Sequence, residues 1–206
     1  FLRERGILFC LDAIQAVGAF PTTVENVDFL AADSHKWLLG PCGAGIFYVK
    51  RDLHEKLNPP IYGWHNVRNP NFVAQEKIEF RNGAAKFEAG THNLVGMVGL
   101  LAAMELVLEI GVENIARELL RKRAWLVSAL QAKGYTVLNA EPKPENASSI
   151  TSFFAPDKDM AALNQKLAEN GVAASLRTDR KVQKYIRLSP HFYNTDAELQ
   201  RVIELL

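Results

Sequence analysis

"DSHKWLLGPCGAG", residues 33–45, sets a histidine and a lysine directly after an apolar run and directly before a glycine-rich turn. The run ahead of it, VDFLAA (27–32), reads as a strand, and AGIFYVK (44–50) behind it reads as another. Further back, ILFCL (7–11) is a short continuous apolar run ending at Asp12, the pattern of a strand buried on both faces of a parallel sheet. AIQAVGAF (13–20) reads as a helical turn stopped by Pro21. Three strands joined by short connections point to an α/β sheet.

Two of these strands end in chemistry: one in Asp12, the other in His35 and Lys36. In open α/β sheets ligands gather beyond the carboxyl ends of parallel strands, so a carboxylate and an amine can face one crevice. A plain ion pair is one reading. The other is a lysine that forms a Schiff base with an aldehyde, with pyridoxal phosphate the common aldehyde cofactor. Its ring nitrogen works as an electron sink when a carboxylate keeps it protonated, which would suit Asp12. Gln15, three residues on, can reach the ring hydroxyl if both lie on one face of the turn.

The rest of the chain supports a two-part organisation. The opening FLRERG reads as the last turn of a helix closing on Gly6, so the chain is expected to begin inside a larger protein. Residues 58–90, opening with NPPIYGWHNVRNPN, form a long Pro- and Asn-rich passage with little periodicity, the kind of loop that is functional or disordered. Residues 94–133 carry apolar positions at helical spacing, and LVGMVGLLAAM (94–104) reads as a buried helix too short to span a bilayer. Beyond it, YTVLN, SITSFFA, VAASL and KYIRLS are four strand candidates, with helices at 159–170 and from Asp196. That α+β pattern sets a boundary at about residue 120, dividing the chain into 1–120 and 121–206.

The 206 residues are 48% hydrophobic and 23% charged, with a net charge of +1. This is an ordinary globular composition without a nucleic-acid footprint. Arg121, Lys122 and Arg123 are expected on a solvated helix face. Cys10 and Cys42 are the only cysteines. They suggest neither a disulfide framework nor a metal site, and a reducing compartment, the cytoplasm, is the expectation. His35 and Asp33 as metal ligands lack the usual spaced histidines.

Four stretches, "LDAIQAVG", "VDFLAADSHKWLLGPCGAGIFYV", "KFEAGTHN" and "YIRLSPHFYNTDAELQRVIELL", together resemble the fold-type I, class V pyridoxal-phosphate aminotransferases. That group includes cysteine desulfurases, kynureninases and enzymes similar to isopenicillin-N epimerase. The resemblance implies the C-terminal part of a large cofactor domain with a mostly parallel sheet, followed by a small α+β domain. It implies an enzyme acting at the α-carbon of an amino acid as an aminotransferase, epimerase or lyase. Lys36 would hold the cofactor as an internal aldimine, Asp12 would pair with the pyridinium nitrogen and Gln15 would touch the ring hydroxyl. His35 would donate to the phosphate, with Ser34 beside it. Thr91 would reach the phosphate of a partner subunit's cofactor, which requires a homodimer. Arg187 would grip the substrate carboxylate, a bidentate task suited to arginine.

The remaining candidates have weaker grounds. Thr91 reads equally as a helix N-cap. His65 and His92 are candidates to line a substrate pocket, His54 is expected in solvent, and His191 and Tyr193 are expected to fix a local turn. Trp37 and Trp64 are expected to pack. The stretch GVAASLRTDRKVQKYIRLS (171–189) has no cysteine, which departs from desulfurases that use a mobile nucleophilic cysteine there. The resemblance also assigns the aromatic residue that stacks on the ring to a segment ahead of this chain. A catalytically silent fragment, serving folding or subunit contact, is therefore the alternative to the enzyme.

Overall fold

Gly6 takes the left-handed conformation (φ 64°) and its N–H returns to Arg3 O, closing a single 3-10 turn over Arg3–Arg5. From there the computed structural model describes residues 1–68 and 76–206. The chain divides into two compact units, Phe1–Val112 and Glu113–Leu206.

The first unit is built on a three-stranded sheet, β1 (Cys10–Asp12), β2 (Phe29–Asp33) and β3 (Gly45–Val49), with β2 in the middle. β1 and β2 run parallel, with Leu11 opposite Leu30, while β3 returns antiparallel, with Asp33 opposite Gly45. Period-two alternation sends Leu30 and Ala32 to one face, where they pack with Ala13 and Val27 against Phe9, Leu11, Val17 and Tyr48. The continuous apolar run 7–11 is not buried on both faces as expected. Ile7 is 50% exposed and Leu8 56%, because β1 has no neighbour on its outer edge among the described residues.

The passage 58–90 contains an isolated bridge between Val67 and Phe80 and a 3-10 turn over Gly83–Phe87; its residues 69–75 lie outside the described ones. α1 (Leu94–Ile110) follows, capped by Asn93, whose Oδ1 accepts from Gly96 N. Only a narrow small-residue face of α1 is covered. Gly96 approaches Asn93 and Ala44, Gly99 meets Pro41, and Gly96, Ala103 and Val107 are buried. Leu94, Val95, Met97, Val98, Leu101 and Leu108 remain at least half exposed. The sequence expectation of a buried helix is thus corrected to one buried stripe. No single helix among the described residues is long and apolar enough to cross a membrane.

In the second unit, α2 (Val112–Ala132) buries Ile115, Leu119, Leu126 and Leu130 at helical spacing. A four-stranded sheet follows, β4 (Thr136–Val137), β5 (Thr151–Phe154), β6 (Ser175–Thr178) and β7 (Lys184–Leu188), in the order β4-β5-β7-β6 with every pair antiparallel. α3 (Met160–Glu169) starts on Asp159, which accepts from Ala161 N and Ala162 N. α4 (Asp196–Leu205) starts on a reciprocal cap between Thr195 and Glu198. Phe153 and Ile186 from the sheet join Leu126, Leu130, Leu167 and Val202 from the helices in one core.

Arg121 is solvated as expected, but Lys122 and Arg123 are not. Lys122 is 2% exposed and donates to Glu118 and to Phe192 O. Arg123 is 6% exposed and donates to Ile150 O and Asn139 O. Loop carbonyls arriving over the helix satisfy both cations, so their burial is tolerated.

Candidate active site

Asp12 closes β1, and its Oδ1 accepts from Ile14 N at 3.1 Å as the chain turns away. Ala13 N extends the ladder to Ala31 O at 2.8 Å, and Val17 N returns to Ala13 O at 3.0 Å, which makes residues 13–17 a helical turn. Asp33 closes β2. Its Oδ1 accepts from Ser34 N at 2.7 Å, and its Oδ2 lies 3.0 Å from His35 Nδ1. The two carboxylates line one crevice of about 410 Å³, together with Ile14 and residues 31–32 and 43–47. Neither His35 nor Lys36 is among its lining residues.

The loop carrying Lys36 is fastened around Ser34. Ser34 is fully buried; its N–H donates to Ala44 O at 3.0 Å, its carbonyl accepts from Gly40 N at 2.9 Å, and its hydroxyl donates to Pro41 O. Beyond that knot, His35 and Lys36 are exposed while Trp37 and Leu38 are buried. The Lys36 amine has no hydrogen bond or ion pair among the described residues, so the plain Asp12–Lys36 ion pair is not formed. Leu39 sits in the left-handed region at φ 59°, costly for a branched side chain. Trp37 Nε1 donates to Gln15 Oε1 at 2.9 Å, so the indole does more than pack. Gly18 (φ 88°) underlies this contact: a Cβ there would stand 2.6 Å from Trp37 O.

Thr91 is exposed and does not cap α1; Asn93, two residues on, does. Asn93 Nδ2 also donates to Gly43 O at 3.1 Å, tying the start of α1 to the turn that lines the crevice. Around Thr91, the rings of His65 and His92 lie 5.0 Å apart, Trp64 and His65 3.9 Å, and His92 Nε2 stands 3.8 Å from Glu88. His54 is half-buried rather than solvated, its Nε2 3.0 Å from Val49 O.

In the second unit Arg187 lies on β7, opposite Ser152 of β5 and Ser175 of β6. Its Nε is buried without a hydrogen-bond partner among the described residues. Burial holds its guanidinium below the usual arginine range, and the charge of Arg177 adds to that. Just after β7, His191 N donates to Asn194 Oδ1 at 2.8 Å and the His191 and Tyr193 rings stack at 5.0 Å, so both residues fix a turn. No group of three or more histidine, cysteine, aspartate or glutamate side chains among the described residues is placed to hold a metal ion.

Sequence reasoning named the strand-end residues but missed three contacts: Asp33 with His35, Trp37 with Gln15, and Asn93 with Gly43. The Asp33-x-His35 spacing carried a signal; the other two pairs are 22 and 50 residues apart in the chain and left none.

Comparison with known proteins adds to this geometry. A probable cysteine desulfurase of Pyrococcus abyssi is 26% identical over all of this chain and 53% of its own length. The cysteine desulfurase of Thermococcus onnurineus superimposes with a TM-score of 0.89 at 22% identity, over 98% of this chain and 52% of that one, a likeness of fold. C-DES, a cystine C–S lyase solved with its product cysteine persulfide, superimposes with a TM-score of 0.77 at 26% identity, over 92% of this chain and 49% of that one. A variant of C-DES has also been solved with glycine covalently linked to its pyridoxal-phosphate cofactor. The chain spans about half the length of the curated relatives it matches. The family model described as aminotransferase class-V matches residues 1–202. With that match over nearly its whole length, this chain belongs to the class-V aminotransferase family.

Proposed function

We propose that the protein is a pyridoxal-phosphate enzyme acting at the α-carbon of an amino acid, with Lys36 as the residue that carries the cofactor. One observation carries the reading. The exposed Lys36 amine makes no hydrogen bond or ion pair among the described residues, on a fastened loop whose residues 43–44 line the crevice with Asp12. An amine held free in that position suits an aldehyde better than a structural ion pair does.

The residues present fit that cofactor. Pyridoxal phosphate, when bound, supplies a sink for the electron pair released when a bond to the α-carbon breaks. Asp12, an acceptor-only carboxylate, would hold the proton on the ring nitrogen. Gln15 spends its carboxamide oxygen on Trp37 and would offer its amide nitrogen to the ring hydroxyl. His35, with Nδ1 on Asp33, would present Nε2 to the phosphate. Ser34, expected to bind the cofactor beside His35, spends its buried hydroxyl on Pro41 O and would serve instead by keeping the loop knotted. Arg187 would take the substrate carboxylate, and Lys36 would remove the α-proton as general base. The reading includes a cytoplasmic homodimer in which Thr91 reaches the partner's cofactor phosphate.

Transamination, epimerisation and elimination all begin with that proton removal. The names of the relatives place sulfur amino acids among the candidate substrates. Residues 171–189 lack cysteine, which favours elimination over transfer of sulfur to a cysteine of that stretch. A second reading, a catalytically silent chain serving folding or subunit contact, is favoured by the apolar surface left uncovered on α1. Mixing the full-length protein with pyridoxal phosphate separates the two. The enzyme gives an absorbance band near the visible edge that Lys36→Ala loses; absence of the band supports the silent chain.

A further inference from the structure

The sheet of the second unit has one face in that unit's core, and its other face carries two arginines without a counter-charge among the described residues. Strand alternation and the antiparallel register define it. Phe153, Ile186 and Leu188 point into the core and are nearly fully buried. On the other face Arg187 lies between Ser152 of β5 and Ser175 of β6 as one row. In the next row Tyr185 is opposite Arg177 and packs edge-on against Phe154 at 5.2 Å.

The two arginines stand diagonally on neighbouring strands. Arg187 has a buried Nε without a partner, and Arg177, exposed, makes no hydrogen bond or ion pair among the described residues. Asp179, whose carboxylate reaches Tyr185 of the second row, is already engaged. Asp179 Oδ1 accepts from Lys181 N at 2.8 Å and Gln183 N at 2.9 Å, and Oδ2 accepts from Tyr185 OH at 3.1 Å. Two like charges held side by side with no counter-charge among the described residues are unfavourable, and an anionic ligand would relieve the repulsion. Successive rows on one face of a strand are roughly 7 Å apart. That spacing is wide for the two oxygens of a single carboxylate and suits two separate acidic groups.

We propose that this face recognises an amino acid carrying two negative groups, Arg187 taking the α-carboxylate and Arg177 the side-chain acid. The inference rests on the reading of Arg187 as the substrate-carboxylate residue and adds the substrate class. Ser152 and Ser175 flank the first acid with hydroxyl donors, and Phe154 and Tyr185 supply an apolar edge beside the second. Arginine suits both positions because its planar fork meets a carboxylate with two parallel hydrogen bonds.

The test is calorimetric titration of the full-length protein, with and without pyridoxal phosphate, using L-aspartate and L-alanine as probes. L-Aspartate is expected to bind about tenfold or more tightly than L-alanine, the gain of one further charge-assisted pair. Arg177→Gln, at an exposed position, is expected to erase that preference while leaving L-alanine within about twofold of its original affinity. Arg187→Gln is expected to weaken both probes. Equal affinity for the two amino acids overturns the inference, as does an Arg177→Gln protein that keeps the preference or loses both ligands equally. Cofactor uptake is followed separately by absorbance. A protein that takes no cofactor yet prefers L-aspartate contradicts the functional reading alone; one that takes up cofactor and treats the two probes alike contradicts this inference alone.

Discussion

The indole nitrogen of Trp37 donates to the carboxamide oxygen of Gln15 at 2.9 Å, joining the residue beside Lys36 to the turn that follows Asp12. Two strand ends that hydrogen-bond in parallel over only three residue pairs gain from this contact a second, side-chain connection. Trp37 is 5% exposed, so the hydrogen bond to Gln15 is made in a buried setting where a polar N–H needs an acceptor. Gln15 thereby has a defined orientation, with its amide nitrogen left available.

Trp37→Phe keeps the ring in place and removes the donor. The expected loss of stability is about 1 kcal/mol, the net worth of one such hydrogen bond. The expected functional effect is larger: Gln15 becomes free to rotate, and the dissociation constant for pyridoxal phosphate should rise several-fold. Fluorescence titration of the cofactor, beside urea unfolding, reads both. An unchanged cofactor affinity at reduced stability would confine the contact to folding.

Asn93 has two tasks, capping α1 through Gly96 N and holding Gly43 O on the crevice-lining turn. Asn93→Ala should cost about 1–2 kcal/mol, the cap together with the lost turn contact. Asn93→Asp keeps the acceptor that caps the helix and loses the donor to Gly43, so it separates the two tasks. The Asp variant is expected to recover most of the stability and to remain weakened in cofactor binding.

Glu118 is held by Arg121 and Lys122, whose hydrogen bonds bring its carboxyl down to about 2 from an ordinary 4.5. A depressed folded-state value means a stabilising contribution that is complete above about 4.5 and disappears as the pH falls through about 2. Glu118 is about one-third exposed, so solvent screening reduces the worth of the pair; Lys122, nearly fully buried, raises the cost of losing its partner. Glu118→Gln should therefore cost about 1–2 kcal/mol at neutral pH. The gap from the parent protein should close as the pH approaches 2, as read by denaturant unfolding at several pH values. A gap independent of pH would assign the loss to packing rather than charge.

The second unit is legible in its sequence because each element carries its own punctuation. Asp159 and Asn170 bracket α3 as its caps, Thr195 and Glu198 announce α4, and the apolar runs around Phe153 and Ile186 become paired strands. The strand-end positions of Asp12 and of Asp33, three residues ahead of Lys36, are legible for the same reason, since a polar residue closing an apolar run is a local signal. What the sequence does not display is anything decided by a distant neighbour. Lys122 and Arg123 sit on a basic stretch that looks solvated until the carbonyls of Phe192, Ile150 and Asn139 arrive over it. Ile7, Leu8 and most of α1 look buried by composition, yet composition states only what a segment would bury and not what covers it.

Reduction of the full-length, cofactor-loaded protein with borohydride, followed by peptide mass spectrometry, asks directly which side chain holds the cofactor. The account predicts a pyridoxyl mass on the peptide containing Lys36 and on no other lysine. A labelled protein with Lys36 unmodified, or no label in a protein shown to be intact and folded, would contradict it.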